Sequence, residues 1–243
     1  MENNFFNPEP QEALHYTADC DEARILQYLN DIKLNNNRDW YYEHRDRYDQ
    51  VRASFEHIVE RLIAALTPID PAVTLVTVKS TLYRFNRDTR FSLDKSPYKR
   101  HFGSYINPRG KKSQHGGYYL HLEPGHCHIG GGAYCLESPV LKAIRQRIVN
   151  DIDDFRAIAE APAFSALYPV IGLDHLKTLP AGFSRQFPHP QYLRPKNYCV
   201  VHPLPDEFFF QPDWIPQVAD YFNTMKPFLD FINSAIDDYI AEH

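Results

Sequence analysis

The spacing of apolar residues changes twice along this 243-residue chain. That change restricts the fold more than any other feature, because a period of 3.6 and a period of 2 cannot share one element. Asp19 and Glu22 are spaced as a capping box ahead of Ile25, Leu26, Leu29 and Ile32, so a helix is expected to start there. A second, long helix is expected with Asn37 as its cap and Asp39 in its first turn. It carries Tyr48, Val51, Phe55, Ile58 and Leu62 on one face and stops before Pro68. From Val73 the period shifts toward two, and β-branched and aromatic residues dominate. Strands are expected at residues 75–86, 101–107 and 115–122, with a further one in "CHIGGGAYC" after the Pro124-Gly125 turn.

Helical spacing then returns. Ser138 as cap and Pro139 at the first position open a helix carrying Leu141, Ile144, Ile148, Ile152 and Phe155, which ends before Pro162. Residues 162–196 read as an irregular cover with short helical pieces, and "NYCVVHPL" as one more strand. A helix from Asp213 carries Val218, Phe222, Met225, Leu229, Ile232 and Ile236, with Pro227 expected to kink or divide it. Helices, then strands, then helices give an α+β fold, a mainly antiparallel sheet packed against long amphipathic helices. Residues 1–20 are expected to form an irregular arm and 21–243 a single domain; at 43% hydrophobic residues the chain can bury a substantial core.

No run reaches the length of a membrane-spanning helix, and "MENNFFNPEPQEAL" has no basic leader or apolar segment, so a cytoplasmic protein is expected. Cys20, Cys127, Cys135 and Cys199 are widely spaced, which indicates neither a disulfide framework nor a zinc finger. Net charge is −5, against a dedicated nucleic-acid or membrane-surface binder. The distribution of charge is more informative: residues 79–112 hold ten basic and two acidic side chains, which leaves the rest of the chain at −13. That segment is either neutralised by acidic helices elsewhere or faces an anionic partner.

Within it, "YRFNRDTRFSLDKSPYK" holds Arg84, Arg87 and Arg90 close together, although guanidinium groups repel and cannot shed their charge. A turn at Arg87-Asp88 would let Asp88 organise the arginines. The functional reading is an anion site on Arg84, Arg87, Arg90, Lys95 and Lys99, with Asp88 or Asp94 as general acid or base and Tyr98 steadying negative charge. The competing reading is a salt-bridge network that pins a loop. Arg194 and Lys196 in "YLRPKNY" are candidates to join the cluster, and Gly130, Gly131 and Gly132 to form a floor that lets a ligand approach, or else a bulge. In "GYYLHLEPGHCHIGGGAY" the turn sets His121 opposite His128, and Tyr118 and Tyr119 opposite Gly131 and Gly130. The two imidazoles, with Cys127 or Cys135, underdetermine a metal centre, so no metal and no cofactor is assigned. Trp40 and His44 are expected to touch as an i, i+4 pair.

The run Arg84-x-x-Arg87-Asp88-x-Arg90-Phe91 followed by Asp94-Lys95-x-x-Tyr98 resembles the signature of the bacterial Domain of Unknown Function 2461 family. "LNNNRDW", "GGYYLHLEPG", Gly130 to Gly132 and "LRPKNY" are similar to it as well, so the resemblance covers nearly the whole chain past the arm. It implies a single-domain bacterial protein of about this size and carries no activity with it. Three functions remain open: a site for a phosphate- or carboxylate-bearing small molecule, a nucleic-acid binder using the basic and aromatic residues 79–112, and a non-catalytic interaction protein with internally paired arginines. No nucleophile stands out, since Ser92 and Ser96 lack a local histidine.

Overall fold

The computed structural model describes residues 14–243. Of the expected arm, residues 1–13 lie outside the described part, and residues 14–20 are irregular. Helix α1 (Asp21–Leu34) buries Ile25, Leu26, Leu29 and Ile32. Its N-cap is Cys20, which makes no side-chain cap hydrogen bond, so the expected capping box does not form. Asp19 pairs with Arg24 instead, and the Glu22 carboxylate is buried, accepting from Trp214 Nε1 at 2.9 Å.

Asn37 caps as expected, accepting from Trp40 N–H. The helix that follows is two: α2 (Arg38–Glu43) ends at His44, and α3 (Arg45–Leu66) begins there. At the junction the His44 ring stacks on Trp40 with centroids 4.1 Å apart, the expected i, i+4 contact. Residues 75–86 do not form the expected strand. A 3-10 turn (Pro71–Leu75) and a short helix α4 (Val78–Thr81) take their first half. The remainder is extended but joins other chain only at isolated bridges, Leu82 to Ser104 and Asn86 to Tyr98.

Four antiparallel strands make one sheet in chain order: β1 (Phe102–Ile106), β2 (Gly117–Leu122), β3 (His128–Ala133) and β4 (Tyr198–Pro203). The hairpin register is the one expected, with His121 opposite His128, Tyr119 opposite Gly130 and Tyr118 opposite Gly131. Alternation then gives the sheet two different faces. The inner face carries Phe102, Ile106, Tyr118, Leu120, Leu122, Ile129 and Val200, all buried. The outer face carries Gly103, Tyr105, Tyr119, His121, His128 and Gly130, by the same register.

Helix α8 (Trp214–Glu242) and α3 pack on the inner face, and α1 lies on α3. The helix expected from Ser138 is divided into α5 (Ser138–Asn150) and α6 (Ile152–Ala159), its N-cap being Glu137, one residue earlier than expected; α7 (Pro162–Leu167) is one of the short helical pieces expected after Pro162, and all three lie against α8. Pro227 does not divide α8, which runs through it for 29 residues and buries Met225, Phe228 and Leu229 around it. Tertiary burial of a broad apolar face outweighs the lost backbone bond there. No helix among the described residues is long and apolar enough to cross a membrane.

Candidate functional site

The arginine stretch forms a loop whose two limbs are tied together. Arg87 N–H donates to Pro97 O and Lys99 N–H to Phe85 O, each at 2.9 Å. Asn36 fastens one limb from outside: its Oδ1 accepts from Tyr98 N–H at 3.0 Å and its Nδ2 donates to Tyr98 O at 2.9 Å. Phe85 and Tyr98 point inward, where the Tyr98 ring stacks on Tyr41 at 4.2 Å and on Phe85 at 5.5 Å. Tyr98 is therefore a core residue, 3% exposed, a place that speaks against the catalytic role expected for it.

The carboxylates divide the arginines between them. Arg87 donates to Asp94 at 2.6 Å and to Ser96 Oγ at 2.5 Å, while Asp94 also meets Arg100 at 3.3 Å. Asp88 forks Arg90, with Nε to Oδ1 at 3.0 Å and Nη2 to Oδ2 at 2.7 Å. The partnership expected between Arg87 and Asp88 is not the one formed among the described residues: Arg87 pairs with Asp94, and Asp88 with Arg90. Each carboxyl is held down to about 2, Asp94 first by the Ser96 backbone N–H and Asp88 first by the Arg90 guanidinium. Such acids stay ionised and are poor proton donors or acceptors near neutrality, which disfavours the acid–base role expected for either. Lys95 donates to Thr89 O at 2.9 Å. Most of the loop's charge therefore serves the loop, while its tip projects Phe91 and Leu93 fully into solvent.

A different group of cations lies against the outer face. Lys99 and Lys111 flank the Tyr83 ring, their Nζ atoms 5.1 and 5.3 Å from its centroid, and Lys111 donates to Leu82 O. Burial pushes the Lys99 ammonium down, and Arg84, Lys111 and Arg52 push it further by repulsion. Among the described residues no carboxylate pairs with Lys99, Lys111 or Arg84.

Beside them three imidazoles stack, His101 on His121 at 4.3 Å and His121 on His128 at 4.2 Å between centroids. His121 is buried and held from both ends: Tyr119 Oη lies 2.9 Å from Nδ1, and Glu123 Oε2 lies 3.0 Å from Nε2. Burial lowers all three imidazoles, His101 to about 3, and repulsion from the neighbouring rings adds to this for His101 and His121. The Tyr119 ring crosses β1 over Gly103, where a Cβ would stand 2.7 Å from its hydroxyl. Only glycine leaves that space, and so glycine sets the Tyr119–His121–Glu123 chain in place. His101 and Glu123 escaped the reading of the sequence. Strand parity was the available signal, because Glu123 shares the face of His121 two residues earlier and His101 shares that of Gly103, which pairs with His121.

The remaining candidates are dispersed. Gly131 faces α8, its Cβ position 2.5 Å from Met225 Sδ, whereas Gly130 and Gly132 stand against the β4 backbone. Lys196 pairs with Asp174 at 2.8 Å, and Arg194 precedes the end of β4 that pairs with Ala133, away from His128. Of the aromatic rings expected to stack bases, Phe85, Tyr98 and Phe102 are in the core. Cys127 is buried and donates to Glu123 O at 3.3 Å, apart from the imidazole stack. A Ser113–His115–Asp237 array occurs elsewhere, with Ser113 Oγ 2.7 Å from Nδ1 and Asp237 Oδ1 2.9 Å from Nε2. There Ser113 Oγ caps the His115 N–H and Asp237 also holds Arg109, so the array joins the β1–β2 loop to α8.

A helix-backed antiparallel sheet defines an α+β protein, and its outer face brings cations without a carboxylate partner among the described residues beside three imidazoles and one carboxylate. Residues 24–231 match the model of the conserved hypothetical protein family DUF2461, and the chain belongs to that family. No curated protein and no solved structure matches it.

Proposed function

We propose that the protein binds a small molecule bearing a phosphate or carboxylate group on the outer face of its sheet, with Lys99 and Arg84 as counter-ions and Lys111 beside them. The observation that carries this reading is Lys99: a half-buried ammonium surrounded by Arg84, Lys111 and Arg52. A desolvated cation among cations is costly unless an anion joins it. Arg87 and Arg90 have internal carboxylate partners and hold the loop in shape, so the site draws on Arg84 and Lys99 from the sequence motif. A nucleic-acid strand fits less well, since the rings left outside the core are chiefly Tyr83, Tyr105 and Phe91.

The test is thermal denaturation of the parent and Lys99→Met in a phosphate-free buffer, with inorganic phosphate, pyrophosphate and citrate as probes. At a hundredfold excess over Kd a bound anion adds about 2.7 kcal/mol, which for a chain of this size raises the melting temperature by roughly 5–10 °C. Lys99→Met is expected to melt at or slightly above the parent temperature and to lose that rise. A parent that responds to none of the probes, or a variant that keeps the response, sinks the reading.

A further inference from the structure

On the outer face a carboxylate and two imidazoles converge from separate positions. Ligand atoms of His101, His121 and Glu123 all lie within 4.8 Å of one another. The closest pair, His121 Nε2 and Glu123 Oε2, is 3.0 Å apart. Two donors bound about 2.0–2.1 Å from a tetrahedral ion are about 3.3 Å apart, so this pair needs only a small opening to admit one. Neither ring nitrogen of His101 has a hydrogen-bond partner among the described residues, although the ring is half buried against His121. We propose that His101, His121 and Glu123 bind one divalent cation of the borderline class, with zinc as the type, leaving its fourth position to water or a ligand atom. This stands whether or not an anion binds at Lys99.

The donors suit that class because imidazole nitrogen and a single carboxylate favour zinc-like ions over calcium or magnesium, which prefer all-oxygen shells. Tyr119 supplies the outer support. With no ion bound, the partners of His121 assign Nε2–H as donor to Glu123 and the Tyr119 hydroxyl as donor to Nδ1. An ion on Nε2 requires the other tautomer: the ring proton moves to Nδ1 and donates to the Tyr119 oxygen, whose own hydrogen turns away. The imidazole stays neutral throughout, and no proton leaves it. A second hydrogen bond of this kind fixes the orientation of metal-bound histidines generally.

Calorimetric titration of chelator-stripped protein with zinc chloride, in buffer free of phosphate and carboxylates, is the test. One zinc per chain is expected. Cobalt in its place should give the visible absorption of a low-symmetry nitrogen and oxygen site. Tyr119→Phe should weaken zinc by about 10–100-fold, and His101→Ala or Glu123→Gln, checked as folded by circular dichroism, should weaken it further than that. His128→Ala is expected to bind as the parent does. Absence of stoichiometric binding overturns the proposal. So does one-to-one binding that survives both His101→Ala and Glu123→Gln, or a loss in His128→Ala as large as in His101→Ala. Because the anion probes are read separately from zinc, failure of one proposal leaves the other to its own result.

Discussion

Asp94 shows how one carboxylate can set the shape of a cationic loop. Its Oδ1 accepts from Ser96 N–H at 2.9 Å and its Oδ2 from Arg87 at 2.6 Å and Arg100 at 3.3 Å. The Arg87 side chain is only 10% exposed, so its charge is poorly hydrated and leans on protein partners. Because the folded carboxyl sits at about 2, below its unfolded value near 3.8, the unfolded chain binds more protons between those limits. Stability from this group is therefore fully present above about pH 4 and is lost as pH falls toward 2. The carboxylate is 45% exposed and partly screened, so the contribution is at most about 1–2 kcal/mol. Asp94→Asn is expected to lower the melting temperature at pH 7 and to flatten its decline between pH 4 and 2, measured by thermal denaturation across that range. An unchanged acid limb would mean that other carboxylates, Asp88 among them, carry the dependence.

Elements report where local pattern and tertiary demand diverge. Gly131 sits in β3 with its Cβ position 2.5 Å from both Gly117 O and Met225 Sδ, so β2 and α8 close on it from two sides. Methionine can move and the carbonyl cannot, so Gly131→Ala is expected to cost about 1–3 kcal/mol by overpacking, read as a lower urea midpoint at unchanged slope. The register of that hairpin was legible beforehand, because a turn at Pro124-Gly125 and alternation fix which residues face each other. Helix limits were less so. The apolar stripe from Tyr48 to Leu62 says nothing about the turn at His44, where the ring stacks on Trp40 and its Nδ1 lies 2.9 Å from Trp40 O as α2 ends. Residues 75–86 alternate like a strand, yet Pro71 and the Asp70 cap start a 3-10 turn that reaches Leu75, and α4 takes residues 78–81. Of the site, the arginine motif was visible as composition and Lys99 was among its candidates. What could not be read was which cations the loop would neutralise, since that depends on Asp94 crossing seven residues of chain to reach Arg87.

At the scale of the whole molecule, α8 is the common support of the sheet and of α5, α6 and α7, while α1 and α3 complete the same core. A single continuous core predicts one cooperative unit despite the length of the chain. The two tryptophans test this from opposite sides: Trp214 is buried at the start of α8, and Trp40 stacks on His44 beside the loop. Trp40→Phe and Trp214→Phe each leave one reporter, and their fluorescence transitions in urea are expected to coincide after allowance for the stability each substitution removes. Transitions still separated after that correction would divide the chain into independently folding parts.

The chain-order sheet also bears on how the protein is made. The groups placed on the outer face, from Tyr83 to His128, lie in the first three strands and in the loops before and between them, and these strands close as neighbouring hairpins. Synthesis then has to pass from Ala133 to Trp214 before the helix that covers the inner face begins to emerge, an interval of roughly 4–16 s at about 5–20 residues per second. During that interval the inner-face residues of β3 lack α8, the helix they pack against in the finished fold. In chain order, then, the polar face of the sheet is complete before the helix that covers its apolar face exists.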